Sequence, residues 1–241
     1  MSSEPMLWLR TLGGLTLSRG SENLTGAVTQ RRRLAILALL AVSGDSGMSR
    51  DKLLAYLWPE SDAERARHVL NQLLYAQRRQ AGSPSLFAGQ KTLRLDPTVI
   101  HTDVAEFEQA LATGDLEAAA GLYRGPFLDG FHLKDAPEFD RWADDQRARL
   151  ARQVLAAYAR LANGAAAAGD ARRAAEWWSR AGAVDPYDSS VALSLVRTLA
   201  DSGDRAGALL AARRHEELLR RELGLAPDRA FTETVARLGG A

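Results

Sequence analysis

The sequence contains no cysteine, which excludes disulfides, thiolate metal sites and cysteine nucleophiles. Its longest apolar run, Leu34 to Val42, has nine residues, half of the ~18 that a membrane span needs. Met1-Ser2-Ser3-Glu4-Pro5 lacks the basic start and apolar stretch of a secretory signal, so the expected location is the cytoplasm, with no membrane partner. There is no Gly-x-x-x-x-Gly-Lys-Ser/Thr phosphate loop and no Gly-x-Gly-x-x-Gly fingerprint. His68, His101, His132 and His215 are scattered, and His215-Glu216-Glu217 lacks the second histidine of a zinc protease helix, so it reads as a solvated face. Four carboxylates crowd Glu138 to Asp145, at spacings that suit i,i+3 surface pairing on one helix better than a glycosidase pair. No catalytic constellation emerges. The chain is expected to be a non-enzyme without metal or cofactor.

What is present is a packed protein of 241 residues, 46% hydrophobic and 25% charged, with a mean hydropathy of -0.22. Its net charge of +1 conceals an asymmetry. Residues 1–102 carry 13 Lys and Arg against 8 Asp and Glu, whereas residues 103–241 carry 18 against 22. Alanine divides in the same way, 10 residues before that boundary and 33 after it. A basic front domain (1–102) and an acidic, alanine-rich back domain (103–241) are therefore expected, with different partners. The basic part is the place to look for nucleic acid, and residues 1–102 are expected to bind duplex DNA alone.

In the front part, Met6–Leu12 and Leu15–Leu17 have strand length and composition, and Arg19-Gly20-Ser21 reads as a turn. Thr29-Gln30-Arg31-Arg32-Arg33 leads into a Leu/Ala/Ile run that predicts a largely buried helix, closed by Ser43-Gly44-Asp45. Ser49 caps a short second helix that Pro59 prevents from continuing. Ser61-Asp62-Ala63-Glu64 fits a capping box opening a third helix, which ends near Gln80, before Gly82-Ser83-Pro84. Ala66, Leu70, Leu73 and Leu74 form its apolar stripe, with Arg67, His68, Asn71, Tyr75, Arg78 and Arg79 on the other side. Ser85–Phe87 and Thr92–Leu95 flank a basic-tipped hairpin carrying Lys91. Strands, three helices and a hairpin make a winged helix-turn-helix, whose last helix enters the major groove. Arg67, His68, Asn71 and Tyr75 are the expected base-reading residues. Arg31, Arg32, Arg33, Arg78, Arg79 and Lys91 are expected to hold phosphates.

From Asp103 the pattern is helical. Asp103 opens one helix, Asp115 to Tyr123 forms another, and a long helix is predicted from Glu138 to Asn163. Gly169-Asp170 and Gly203-Asp204 lie 34 residues apart, the tetratricopeptide period. That template places Tyr158, Leu161, Ala174, Trp178, Ala181 and Pro186 at its large, small and breaker positions; Trp142, Trp177 and Trp178 are all read as core. The unit from Ser189 is looser, keeping Ala192, Leu195 and Ala208, and Gly114-Asp115 is off-register. The fold class is mainly α with small β elements: an N-terminal winged helix followed by an all-α, tetratricopeptide-like repeat domain.

Several collinear segments carry a family resemblance. They include Leu12-Gly13-Gly14-Leu15, Arg31-Arg32-Arg33-Leu34-Ala35, Ser49-Arg50-Asp51-Lys52-Leu53, Leu57-Trp58-Pro59-Glu60 and Ala66-Arg67-His68-Val69-Leu70. Asp103-Val104-x-x-Phe107-Glu108, Tyr123-Arg124-Gly125-Pro126-Phe127-Leu128-Asp129-Gly130-Phe131 and Pro137-Glu138-Phe139-Asp140-Arg141-Trp142 continue the series. Together they resemble the Streptomyces antibiotic regulatory protein family, in which a winged helix precedes a bacterial transcriptional activation domain. The resemblance implies a transcriptional activator that binds double-stranded promoter DNA, often at direct repeats, as a homodimer on DNA, and helps recruit RNA polymerase. Many such regulators add a nucleotide-binding ATPase module, so the chain reads as a short member or as the front of a longer one. The alternative is a scaffold whose winged helix and helical repeats both bind protein.

Overall fold

The computed structural model describes residues 6–26, 30–83 and 85–239; residues 1–5, 27–29, 84 and 240–241 lie outside them, and with them the sequence readings at Met1–Pro5, Thr29 and Pro84. Two compact units divide between Leu150 and Ala151.

In the first unit, Leu7 and Leu9 alternate into the core from β1 (Leu7–Arg10). This strand pairs antiparallel with β2 (Thr16–Arg19), Leu9 facing Leu17, and β3 (Glu22–Asn23) follows β2. Its other edge holds a strand that sequence pattern had not shown. β7 (Ile100–Thr102) runs parallel to β1, Leu7 opposite Ile100, giving the order β3-β2-β1-β7. Three residues are too few to display an alternation, so only the long-range pairing reveals this strand. The chain then enters α4 (Asp103–Thr113), and the Asp103 carboxylate, buried, accepts from the Thr11 N–H at 2.8 Å, the Leu12 N–H at 2.9 Å and the Thr11 hydroxyl at 2.7 Å.

α1 (Arg31–Ser43) has alanine and leucine on every face and is buried from Arg33 to Ala41. α2 (Arg50–Leu57) starts where the Ser49 hydroxyl accepts from the Lys52 N–H. α3 (Ala63–Gln80) differs from the expected capping box by one residue. Asp62, not Ser61, is the cap, its carboxylate accepting from the Glu64 and Arg65 N–H groups, both at 3.0 Å. One charged oxygen bonded to two amides at the positive end of a helix outcompetes a hydroxyl. Ala66, Leu70, Leu74 and Gln77 form its buried stripe. β5 (Phe87–Ala88) and β6 (Thr92–Leu95) form the expected hairpin, and β4 (Met48–Ser49) extends it. Its turn requires glycine: Gly89 has φ +85°, and a Cβ there would lie 2.0 Å from the Thr92 carbonyl oxygen.

α5 (Leu116–Leu122) follows α4, and a loop leads to α6 (Pro137–Ala167), which continues into the second unit. That loop joins two of the family segments, more than a hundred residues apart in sequence. Leu12 bridges Phe127, the Gly13 N–H donates to the Pro126 carbonyl at 3.1 Å, and the Leu128 N–H donates to the Thr11 carbonyl at 2.8 Å. Arg147 holds the loop from outside, donating to the Phe127, Leu128 and Phe131 carbonyls. Phe127, Phe139 and Trp142 cluster behind it with edge and tilted rings, so Trp142 is core. Two of the four Glu138–Asp145 carboxylates pair at i,i+3 as expected, Glu138 with Arg141 and Asp144 with Arg147, while Asp140 accepts from the Leu133 N–H.

In the second unit α6 is followed by α7 (Ala171–Val184), α8 (Ser189–Asp201), α9 (Arg205–Leu223) and α10 (Arg229–Gly239). The Gly-Asp repeat has a physical basis. Gly169 (φ +81°) and Gly203 (φ +88°) each end a helix in the left-handed conformation, and the next Asp carboxylate caps the following helix. Gly114-Asp115 makes the same turn (φ +80°), so this off-register pair belongs to the same series in geometry. Tyr158 and Trp177 stack at 5.8 Å, and burial pushes the Tyr158 hydroxyl pKa upward, which Arg180 partly offsets. Trp177 is the buried member of its pair, whereas Trp178 is only half-buried. In the looser unit, Ala208 is core with Leu193, Val196, Ala212 and Phe231, and Leu195 is half-buried. The His215 segment is not simply a solvated face. His215 is buried, bonds the Ser189 hydroxyl at 2.8 Å and packs against Phe231 at 5.1 Å. Beside it, burial pushes the Asp188 pKa up, but bonds from Ser190 and Val191 and the His215 charge bring it below the ordinary carboxylate value.

Candidate nucleic-acid interface

With Ala66, Leu70, Leu74 and Gln77 turned inward, α3 presents Arg67, His68, Asn71, Tyr75 and Arg79 to solvent. Arg67, Asn71, Tyr75 and Arg79 recur every four residues on successive turns, and His68 lies three residues before Asn71 beside them. Tyr75 is 63% exposed, a large ring left in water by the fold itself. The His68 and Gln72 side chains bond at 2.8 Å along the helix.

Beside this face lies an open cleft of about 510 Å3, bordered by Arg50, Arg67, Asn71 and Lys91. Lys91 comes from the hairpin, Arg67 and Asn71 from α3, and Arg50 is the first residue of α2. Arg50 had not been singled out from sequence, yet it ties the three elements together. Its guanidinium donates to Asn71 Oδ1 at 2.8 Å and to the Gln90 carbonyl at 2.6 Å, while its own N–H donates to the Lys91 carbonyl at 3.1 Å. In the sequence it stands after the capping Ser49, within one of the family segments. The carboxylate at this cleft is Asp51, 3.5 Å from Arg67, with both side chains well exposed. Such a pair contributes little and leaves the guanidinium available to an external anion.

The remaining expected phosphate contacts are not gathered here. Arg33 is buried, with its guanidinium on Gln80 and its carbonyl accepting from Gln77. Arg31 donates to the His132 carbonyl at 2.6 Å and lies 5.3 Å over the Phe131 ring. Arg32 donates to the Leu57 and Lys134 carbonyls and lies 5.6 Å over Trp58. Arg78 reaches the Phe87 carbonyl at 3.2 Å and covers the Phe87 ring, joining α3 to the hairpin. Four cations of the expected set therefore have partners within the fold, and Arg33 is buried.

A family model described as the bacterial transcriptional activator domain matches residues 99–238, more than half of the sequence. The chain belongs to that family. The resemblance to Streptomyces antibiotic regulatory proteins holds, as does the mainly helical architecture with small N-terminal sheets. EmbR of Mycobacterium tuberculosis, solved in complex with a low-affinity phosphopeptide, has the same fold with a TM-score of 0.66 and 22% identity. The match covers 98% of this chain and 65% of the EmbR chain, so this chain spans less than two thirds of it. No curated protein sequence matches. As a bacterial transcriptional activator domain protein, the chain belongs to a class of transcriptional regulators. Its family segment begins near the Thr102/Asp103 charge boundary, whereas its compact units divide at Leu150. α4 and α5 thus carry the family signature while packing into the winged-helix unit. Among the described residues, no helix is long and apolar enough to cross a membrane.

Proposed function

We propose that this protein is a sequence-specific, double-stranded DNA-binding transcriptional activator, working in the cytoplasm as a homodimer on promoter DNA. Residues 1–102 supply the DNA contacts, and residues 103–241 engage RNA polymerase. The observation that carries this reading is the convergence of Arg50, Arg67, Asn71 and Lys91 on one open cleft beside the exposed face of α3. In the major groove, Arg67 suits guanine and Asn71 suits adenine, with His68 and Tyr75 completing the base-reading row. Lys91 and Arg79 lie at element ends, where long cations meet phosphates. Arg31 and Arg32 contribute at most their outer edges, and Arg33 and Arg78 act through the fold.

The test is selection of bound sequences from a random duplex pool with the full chain, followed by titration in salt. A defined motif should emerge, bound at least about a thousandfold more tightly than random duplex. The logarithm of affinity should fall with that of salt at about -0.9 per neutralised phosphate. Failure to retain any duplex at low salt would favour the scaffold reading. A motif bound without stimulating RNA polymerase on that promoter in a purified system would remove the activation role and leave the DNA role standing.

A further inference from the structure

The first unit has a second open cleft, also of about 510 Å3, where the end of α1, the β6–β7 connection, α4 and α5 meet. It resembles the DNA-side cleft in size and inverts its chemistry. Leu40, Leu95, Ile100, Ala110 and Leu122 give it apolar walls. Asp45, Glu106 and Asp115 also line it, and no lysine or arginine does among the described residues. The Glu106 carboxylate is held at one oxygen by His101 Nδ1, 3.1 Å away. This orients the acid at the edge of the apolar floor. A site of this volume and mixture is of the kind that encloses small organic molecules.

We propose that this cleft binds a small organic cation, a compact apolar body carrying a protonated amine, with Glu106 as its counter-ion. The walls explain the body, since covering apolar surface removes it from water and is favourable. The charge explains the head. Three carboxylates line the cleft, Asp115 as the cap of α5 and Glu106 beside His101, and with no lysine or arginine there among the described residues they disfavour a phosphate or carboxylate ligand and favour an ammonium. A bare metal ion does not fit, because among the described residues no group of three or more His, Asp or Glu side chains is placed to hold one. The walls come from α1 on one side of the Thr102/Asp103 boundary and from α4 and α5 on the other. A bound amine would therefore bridge the DNA-binding segment and the start of the family domain. The proposal is independent of the DNA reading.

Three probes with one apolar body separate the terms: 1-naphthalenemethylamine, 1-naphthalenemethanol and 1-naphthaleneacetate, titrated calorimetrically into the full chain at pH 7. The amine should bind saturably and about tenfold or more tighter than the acetate, with the alcohol between them. Glu106→Gln should erase the preference for the amine over the alcohol without weakening the alcohol. Ala105→Trp and Ala118→Trp, at exposed cleft-lining positions on α4 and α5, should each block all three probes while circular dichroism confirms the native helix content. Equal or tighter binding of the acetate overturns the proposal. So does the absence of saturable amine binding at millimolar concentration, or amine binding that survives both tryptophan variants.

Discussion

Two groups of arginines sit in the winged-helix unit with nearly opposite fates. Arg31, Arg32 and Arg33 form the densest basic run in the sequence, yet one is buried and two are engaged by backbone carbonyls and aromatic rings. Arg50 and Arg67 are isolated in sequence, yet they meet Asn71 and Lys91 at one open cleft. A cation becomes a nucleic-acid contact when the fold leaves it a free anion-facing edge; local charge density is not the criterion. A guanidinium carries five donors in a rigid fork, so it serves equally well to tie loops together through carbonyls. The run that opens α1 does the second job; Arg50 also ties elements together, through Asn71 and the Gln90 carbonyl, but with Arg67 and Lys91 it borders an open cleft.

The largest expected effect comes from removing the frame that keeps the two groups apart. Both partners of Arg31, one of the partners of Arg32 (the Lys134 carbonyl) and the Asp103 carboxylate that holds Thr11 lie beyond the charge boundary. Asp103→Asn would turn an amide N–H toward donors and remove a charge that accepts three hydrogen bonds. The loss should be about 3 kcal/mol or more, lowering the melting temperature by roughly 6–12 °C at this size. For the same reason a fragment ending at Thr102 should melt without a cooperative transition, whereas one ending at Leu150 should melt cooperatively. Calorimetry on the two fragments decides whether the DNA-binding part can stand at the charge boundary. Cooperative melting of the shorter fragment would refute the framing role.

The helices, their order and the hairpin were legible because periodicity, caps and turn residues are local. The Gly-Asp repeat was legible too, since a left-handed glycine followed by a capping aspartate is written in adjacent positions. What escaped the sequence was long-range. β7 is three residues long and exists through its pairing with β1. The ties between Leu12-Gly13 and Pro126-Phe127, and between Arg32 and Trp58, join family segments that read as separate motifs. His215 carries the outward signs of a solvated helix face and is buried by α10, which no local pattern announces. On the exposed face of α3, the helical side of Arg67, His68, Asn71 and Tyr75 followed from period alone. The bridging role of Arg50 required three elements to be placed in space.

The comparison sharpens at Asn71. If α3 reads bases, Asn71→Ala should weaken the selected site by about 1–3 kcal/mol and barely change binding to random duplex. Because Arg50 donates to Asn71 Oδ1, the pair should be coupled. Arg50→Ala alone should weaken both duplexes, and the double variant should depart from additivity by about 0.5–3 kcal/mol. Equal losses on specific and random duplex for Asn71→Ala would assign specificity to DNA shape instead.

Lys91 should show a smaller effect of a different kind. Exposed at the hairpin tip on the same cleft, it is expected to neutralise one phosphate irrespective of sequence. Lys91→Ala should weaken specific and random duplex alike and flatten the log–log salt slope by about one unit. A loss confined to the selected motif would make it a base-reading residue.

The smallest expected effect is the one that most directly opposes reading function from charge runs. Arg31→Ala combined with Arg32→Ala removes two positive charges, which on sequence density alone should flatten the salt slope by nearly two units. Their heads, however, are committed to the His132, Leu57 and Lys134 carbonyls and to the faces of Phe131 and Trp58. Each cation–π contact is worth about 0.5–1 kcal/mol at such exposure, and the carbonyl bonds, long at 3.4 and 3.3 Å for Arg32 and exposed for Arg31, add little more. Leaving them to grip a phosphate would cost much of what the phosphate returns. The double variant should therefore melt a few degrees lower while its salt slope stays within half a unit of the parent protein's, measured by fluorescence anisotropy on random duplex at several salt concentrations. A slope change approaching two units with unaltered melting would show that the run lets go of the fold on binding DNA, and the distinction between the two arginine groups would collapse.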